Sequence, residues 1–482
     1  MRTPVIRLLL LTFSLAALFS ESALSIENNH AKNKVQQLQS QALESDLAYE
    51  LVRSLTVEVG ARLPGTEADI KAVAWAEKKL IALGFDKVYK EPVSVKHWSR
   101  IQATANIIAP YQHRLVISAL GGSVSTPEQG ITAPIYLTKS LETLKVASPD
   151  DVMGKIVVIY EGMQKHKTGA NYGKAVKKRS QGASIAASKG AVAILIRSVG
   201  TSNHRLAHTG MVRYQKDAPK IPAAALSSPD ADLIEEIVKA DKPVTIKLNL
   251  QNQFFEDKTS YNVIGEITGC ERPHEIVLAS AHLDSWDEGT GALDDGAGVG
   301  IVTAAAHLIQ SKSSCPKRTI RVVLYAAEEI GLLGAKAYLE AHKEELKDHI
   351  LATESDFGGG PVWQLQTRFA PNKLGFVDEL FRALKPLDIE RGHNKAYGGP
   401  DISVLKNAGV PVLSLYQDGT DYFDYHHTAD DTLDKVNSKH LQQNVAAWVT
   451  MLHLVANSDF YFREQPSTRE DIAHMKNTNK SL

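Results

Sequence analysis

The sequence predicts an α/β fold class: a mixed, mainly parallel central sheet with helices on both faces, interrupted by an inserted β-rich module. Two observations carry this. From about Ser260 onward, short apolar β-type runs alternate with helix-type runs, as parallel strands joined by crossover helices require. Residues 113–254 differ, with closely spaced β-type runs ("APIYL", "KIVVIYE", "AVAILIR", "IPAAAL", "VTIKLNL") and one clear helix near Ser180–Lys189. That stretch has the size of a separate module. Composition allows both units: 482 residues, 43% hydrophobic and 23% charged, make an ordinary globular chain with a large core. A net charge of −1 offers no footing for nucleic acid or an anionic membrane surface.

At the N-terminus, Arg2 and Arg7 flank the start of a twelve-residue apolar run, Leu8–Phe19, followed by Ser20, Ser22, Ala23 and Ser25. Twelve residues are too few to span about 30 Å of hydrocarbon as a helix. Residues 1–25 therefore read as a signal peptide, and the protein as exported, periplasmic or secreted, with no membrane contact after cleavage. A retained anchor is the alternative, and no later stretch reads as transmembrane. Residues 40–112 form the first part of the α/β domain, as helix, loop, helix and strand. "LAYELVRSL" has helical apolar spacing, and "EADIKAVAWAEKKLIALGF" starts after Gly65-Thr66 and stops at Gly84. Residues 255–465 form the second part. Its strand-type runs are "YNVIGEI", "EIVLASA", "TIRVVLYAA", "HILATES" and "PVLSLY". Its helices are Gly296–Gln310, Leu333–Glu345, Leu374–Leu384 and Ser438–Ser458. Residues 466–482 are a polar C-terminal tail. Cys270 and Cys315 each sit in the turn before a strand. If those strands are parallel neighbours, both cysteines lie at one N-terminal sheet edge and suit a structural disulfide; two unpaired thiols are the alternative.

In open α/β sheets, sites collect at the C-terminal ends of strands. His282 and Asp284 follow "IVLASA", and Asp294-Asp295 opens the next helix. Glu328-Glu329 follows "RVVLYAA", Asp356 follows "ILATES", and His426-His427 follows "PVLSLY" and its loop. Each pair alone is ordinary: a helix cap, a solvated turn, a surface histidine. Together they place the acidic and imidazole clusters at one edge of one sheet. Imidazole and carboxylate without thiols suit zinc. So many carboxylates suit two ions about 3.5–4 Å apart with one acid bridging. Adjacent side chains at a strand end point opposite ways, so one of Glu328 and Glu329 can ligate while the other serves as general base. "GAGVG" (Gly296–Gly300) lacks dinucleotide spacing, and acids at the helix start would repel a pyrophosphate.

These residues stand in "HLDSWD", "GALDDGAG", "AAEEIGLLGA", "ESD" and "HHTADDT". The segments resemble the co-catalytic di-zinc exopeptidases of the aminopeptidase and carboxypeptidase Q clan, nearest its carboxypeptidase Q branch. "GITAPIYL", "GKIVVIYEG", "GAVAILIRSVG", "HTG" and "PKIPAAALS" extend the likeness, and the inserted module resembles a protease-associated domain. The resemblance implies two zinc ions (Zn2+) per subunit: His282 and Asp356 on one, Glu329 and His427 on the other, Asp294 bridging. It implies Glu328 as catalytic base, Asp284 orienting His282 through its second ring nitrogen, and His426 donating to the tetrahedral oxyanion. His427 is taken as the ligand because it precedes "TADDT", as the family's ligand precedes its Thr/Ser-x-x-Asp-Thr segment. The resemblance further implies a homodimer that cleaves dipeptides and other short peptide substrates. An aminopeptidase, a related amidohydrolase, and a binding protein on a peptidase scaffold are the alternatives. Asp287 and Glu288 are expected in solvated loop, Asp295 as a helix cap or brace, and the glycines of 289–298 as backbone passing close to the ions. Arg62, Tyr397 and Asp401 are candidates for reading a substrate's charged ends.

Overall fold

The computed structural model describes residues 33–312 and 315–463. The predicted signal segment 1–25 and the tail 466–482 lie outside the described residues. In chain order, helices at residues 33–44, Leu47–Glu58 and Glu67–Ala82 lead into strand β1 (Lys87–Val95). The third helix starts as its sequence requires. The Thr66 side chain accepts the Asp69 main-chain N–H, and Gly84 ends the helix at φ 79°.

Next come β2 (Trp98–Ala109), β3 (His113–Leu115), β4 (Ile117–Ala119), β5 (Ile131–Thr138), β6 (Ile156–Ile159), β7 (Ala193–Arg197), β8 (Ala223–Leu226) and β9 (Thr245–Phe254). They form a sheet of their own, in the order β3-β2-β9-β5-β6-β7-β8-β4. β5 to β8 run parallel, so this unit is itself α/β and not simply β-rich. Helix Tyr172–Ser188 packs on one face through Ala183 and Ala186, and helix Ser228–Lys239 on the other through Ile234 and Ile237. Its first strand begins at Trp98, so the boundary predicted at residue 113 falls too late. The alternation of β2 is broken by exposed Ile101 and Ile108, and its partner β9 lies far along the chain.

The remaining strands are β10 (Lys258–Ile267), β11 (Arg272–His282), β12 (Arg318–Tyr325), β13 (His349–Glu354), β14 (Val362–Arg368), β15 (Glu390–Arg391) and β16 (Val412–Gln417). With β1 they make the second eight-stranded sheet, ordered β1-β10-β12-β11-β13-β16-β14-β15. The sheet is mixed. β12, β11, β13 and β16 run parallel in the centre, while β10 joins β12 and β14 joins β16 antiparallel. The parallel character read from alternating elements is thus concentrated in the centre. Both faces are buried, which is why β11 reads as an unbroken apolar run. Val277, Ala279 and Ala281 meet helices Leu47–Glu58, Ala297–Lys312 and Ser438–Asn457; Ile276 and Leu278 meet Tyr338 and Leu405.

Cys270 and Cys315 are disulfide-bonded, with Cα atoms 5.9 Å apart, at the N-terminal edge where β11 and β12 begin side by side. Among the described residues one helical stretch, Ala292–Lys312, has the length and apolarity of a membrane span. It is 94% buried as the core helix of the domain.

Candidate metal centre

Four neighbouring parallel strands end at one edge, and each delivers a functional segment there. β11 ends on His282; Glu328 and Glu329 follow β12; Asp356 follows β13; His426 and His427 follow β16. Asp294 and Asp295 come from the turn that opens helix Ala297–Lys312. Two strained positions mark this edge, Ala327 at φ 56° and His427 at φ 60°. Non-glycine residues adopt this region only when their surroundings impose it.

All five predicted ligands converge. His282 Nε2 lies 3.1 Å from Asp294 Oδ1 and 3.8 Å from Asp356 Oδ1. His427 Nε2 lies 3.2 Å from Asp294 Oδ2 and 3.0 Å from Glu329 Oε2. Asp294 therefore stands between two half-sites, His282/Asp356 and His427/Glu329. His426 reaches only Asp294, at 3.4 Å, and stacks on His427 with ring centroids 3.6 Å apart. The ring nitrogens distal to the cluster are committed to main-chain carbonyls. His282 Nδ1 is 3.0 Å from the Asp284 oxygen, and His427 Nδ1 is 3.2 Å from the Thr209 oxygen. With Nδ1–H donating, each Nε2 turns a lone pair inward, as a metal ligand must.

The electrostatics are those of crowded buried acids. Burial pushes Glu328 well above its ordinary range and raises Glu329 too, each worsened by neighbouring carboxylates. Burial also lifts Asp356 to about 7, against the pull of His282. Asp294 goes the other way. Burial favours its neutral form, but the His282 and His427 rings, 3.1 and 3.2 Å away, hold its carboxyl well below the usual range when their Nε2 atoms carry protons, which is the place a cation would take. Asp294 Oδ2 and Glu329 Oε1 are buried without a hydrogen-bond partner. Bare imidazole lone pairs, orphaned carboxylate oxygens and mutually repelling acids together fit divalent cations.

Several neighbours act otherwise than the sequence suggested. The Asp284 carboxylate stands 3.6 Å from His282 Nδ1, which is nearer the Asp284 main-chain oxygen. The carboxylate instead accepts the main-chain N–H groups of Glu328 at 3.0 Å and Glu329 at 3.2 Å. It thereby fixes the acid pair. Asp287 and Glu288 are not free loop acids: Arg100 of β2 grips them at 2.9 and 2.7 Å. Asp295 both braces and caps, accepting the N–H groups of His282 and Gly298. A Cβ on Gly298 would stand 2.0 Å from the Ser355 oxygen, so protein backbone already explains that glycine. Arg62 is fully buried and donates to the carbonyls of Leu283, Thr290 and Gly291, which removes it as a reader of substrate. Asp401 is buried with both carboxylate oxygens unpartnered, and Tyr397 is half exposed beside the site.

Two supporting residues were missed although they sit inside quoted motifs. Trp286 of "HLDSWD" donates its indole N–H to Glu329 Oε2 at 2.5 Å. Asp431 of "HHTADDT" accepts the N–H groups of Leu293 at 2.6 Å and Asp294 at 3.2 Å. A cleft of about 620 Å³ opens over the centre. Its opposite wall comes from the β2–β9 unit, through Tyr172, Arg179, Met211 and Arg213.

Comparison with known proteins finds similarity along most of the chain. Residues 262–452 match the model of peptidase family M28. The chain is 36% identical to carboxypeptidase Q of Bos taurus, over 85% of each chain. It is 51% identical to the structure of a peptidase M28 precursor from Shewanella amazonensis, with a TM-score of 0.89, covering 91% of this chain and all of that one. A zinc aminopeptidase from Bacillus subtilis shares the fold at 22% identity and a TM-score of 0.62, covering 85% of this chain and 97% of that one.

Proposed function

The chain belongs to peptidase family M28 and is a peptide hydrolase, and from that premise we propose that it is an exported two-zinc exopeptidase acting on dipeptides and short peptides. The observation that carries this is the convergence of His282, Asp294, Glu329, Asp356 and His427, with Glu328 beside them and a cleft above. His282 and Asp356 would hold one zinc, Glu329 and His427 the other, and Asp294 both. Zinc there supplies Lewis acidity toward the scissile carbonyl and toward water. Glu328 takes the proton of the attacking water and passes it to the leaving amine; its burial and its acidic neighbours make it a willing acceptor. Asp284 holds the main chain of Glu328 and Glu329 in place. His426, kept neutral by burial, lies against Asp294 and suits a donor to the developing oxyanion. The unit spanning β2–β9 serves as a protease-associated domain, and the mature enzyme is a periplasmic or secreted homodimer.

Metal analysis with a dipeptide panel tests this. About two zinc ions per chain are expected, with hydrolysis lost to a chelator and restored by zinc. Glu328→Gln should lower kcat by about 10²- to 10⁴-fold while zinc stays bound. Full turnover by that variant would remove Glu328 as the base. Protein purified without chelators that held no zinc and cleaved nothing would be a binding protein.

A further inference from the structure

The cleft is electrically two-sided. Its catalytic-sheet wall carries Asp294, Glu328, Glu329, Glu354 and Asp356, and its opposite wall carries Arg179 and Arg213. Arg179 lies in helix Tyr172–Ser188 and is only 7% exposed. It donates to the Thr209 carbonyl at 3.2 Å and to the Tyr172 hydroxyl at 3.0 Å, and its Nη1 lies 3.2 Å from His427 Nδ1; none of these partners is an anion. Its Nε–H is buried with no partner. The guanidinium lies in a slot opened by Gly210, where a Cβ would stand 2.3 Å from Nη1. Arg213 is exposed, and its main-chain N–H binds the Ser180 carbonyl at 3.0 Å, so its segment follows the same helix. Among the described residues neither arginine forms an ion pair. Main-chain carbonyls alone can meet a buried guanidinium, as they do for Arg62, but Arg179 keeps one N–H unmet beside the cleft, and an anion bound there would offset that cost.

We propose that Arg179 and Arg213 receive the free α-carboxylate of the substrate, so that the enzyme reads the carboxy end of a dipeptide or very short peptide. This rests on the exopeptidase reading above. The geometry gives the substrate a direction: carboxylate toward the β2–β9 unit and His427, uncharged or cationic portions toward the acids. A bidentate guanidinium suits a carboxylate, and a second cation at the mouth draws it in. Substrate specificity would then be written in the inserted unit and not among the residues that hold metal.

Kinetics on one dipeptide, as the free acid and as its C-terminal amide, test this with zinc-loaded full-length protein. Arg179→Gln and Arg213→Gln are each expected to cut kcat/KM for the acid about 10- to 100-fold more than for the amide. Arg179→Lys and Arg213→Lys should recover part of that loss. Equal losses on the two substrates, or no loss, overturn the proposal, since a residue that only supported Thr209 and His427 would affect both alike. If the wild-type protein cleaves neither substrate, the peptidase reading is what fails. Calorimetric titration with a reduced-amide dipeptide analogue, as acid and as amide, still decides the arginines. Tighter binding of the acid by wild type than by the Gln variants sustains them, and equal binding removes them.

Discussion

Glu329 shows how a single ligand is held. It receives the Trp286 indole N–H on one oxygen, leaves the other oxygen unpartnered, and has its main chain fixed by Asp284. The Trp286 ring is wedged beside Leu63 and Trp98, and a Cβ on Gly121 would stand 2.0 Å from it. The indole therefore cannot swing away. Trp286→Phe keeps an aromatic ring in that cluster but removes the donor, and the affinity for the weaker-bound zinc should fall about tenfold. Competition with a chromogenic chelator measures it, and unchanged affinity would show that the hydrogen bond does not position Glu329. The convergence of the five candidate ligands was legible because His282, Glu329, Asp356 and His427 follow apolar runs that the fold ends at one edge and Asp294 opens the helix after the first of them; their division between two ions came from the family resemblance. The role of Trp286 was not readable, because "HLDSWD" gives no sign that its tryptophan turns toward a glutamate after a different strand.

At the level of single elements, β11, β12 and β13 show both the reach and the limit of sequence patterns. Their apolar runs gave positions correct to a few residues, and the cysteine spacing allowed a bond once β11 and β12 proved to be neighbours. By contrast, β14 and β15 were not read: Val362–Arg368 is bracketed by the Gly-Gly-Gly-Pro of 358–361 and by Pro371 but is mostly polar, with only Val362, Trp363 and Leu365 apolar, and β15 has two residues. The disulfide closes a separation of 45 residues and lies opposite the site. Cys270→Ser with Cys315→Ser should cost about 4 kcal/mol of stability by chain entropy, read as a lower Tm, with kcat at 25 °C unchanged. A loss of activity without a loss of stability would contradict a purely structural bond. The start of β13 carries a pH dependence. His349 is buried, its Nε2 facing the Tyr338 hydroxyl at 2.9 Å and its Nδ1 the Glu345 carbonyl at 3.0 Å. Burial, with Arg321 nearby, lowers it from an ordinary 6.5 to about 4. The unfolded chain therefore binds this proton first as pH falls. The stabilisation is complete above pH 6.5 and is lost as pH drops toward 4, a change of about 3 kcal/mol. Tm measured from pH 7.5 to 4 should fall less steeply for His349→Gln than for wild type. His208 and His453 titrate in both proteins, so only the difference between the curves belongs to His349.

Across the whole molecule, the question is why a sheet with its own core is tied to the catalytic one. Sequence texture separated the two units, yet it could not show that they share a site, because the linking contacts join residues far apart in the chain. Arg100 is 187 residues from Asp287. From β2 it binds Asp287 and Glu288, in the loop between His282 and Asp294, while also donating to the Ala119 carbonyl and the Thr209 hydroxyl. The carbonyl of that same Thr209 faces His427 and Arg179. Arg100 thus joins the ligand loop, the β2–β9 sheet and the far wall of the cleft, beside the Ser118 hydroxyl on Glu288 and the Thr209 N–H on the His427 carbonyl. Arg100 is largely buried and its acids are about three-quarters buried, so losing it leaves two poorly solvated carboxylates side by side. Arg100→Ala should therefore destabilise the protein by about 2–3 kcal/mol, discounted from a fully buried pair for the exposure of the acids. The larger consequence is geometric: with the far wall free to shift, kcat/KM should drop at least about tenfold, chiefly through KM. Amide hydrogen exchange should rise together in residues 283–291 and 207–211, two segments joined by this contact and by Met211 packing against the Trp286 cluster. If exchange rises in the loop alone and KM is unchanged, the β2–β9 sheet is a passive neighbour; if both segments loosen, it is the wall that shapes the substrate site.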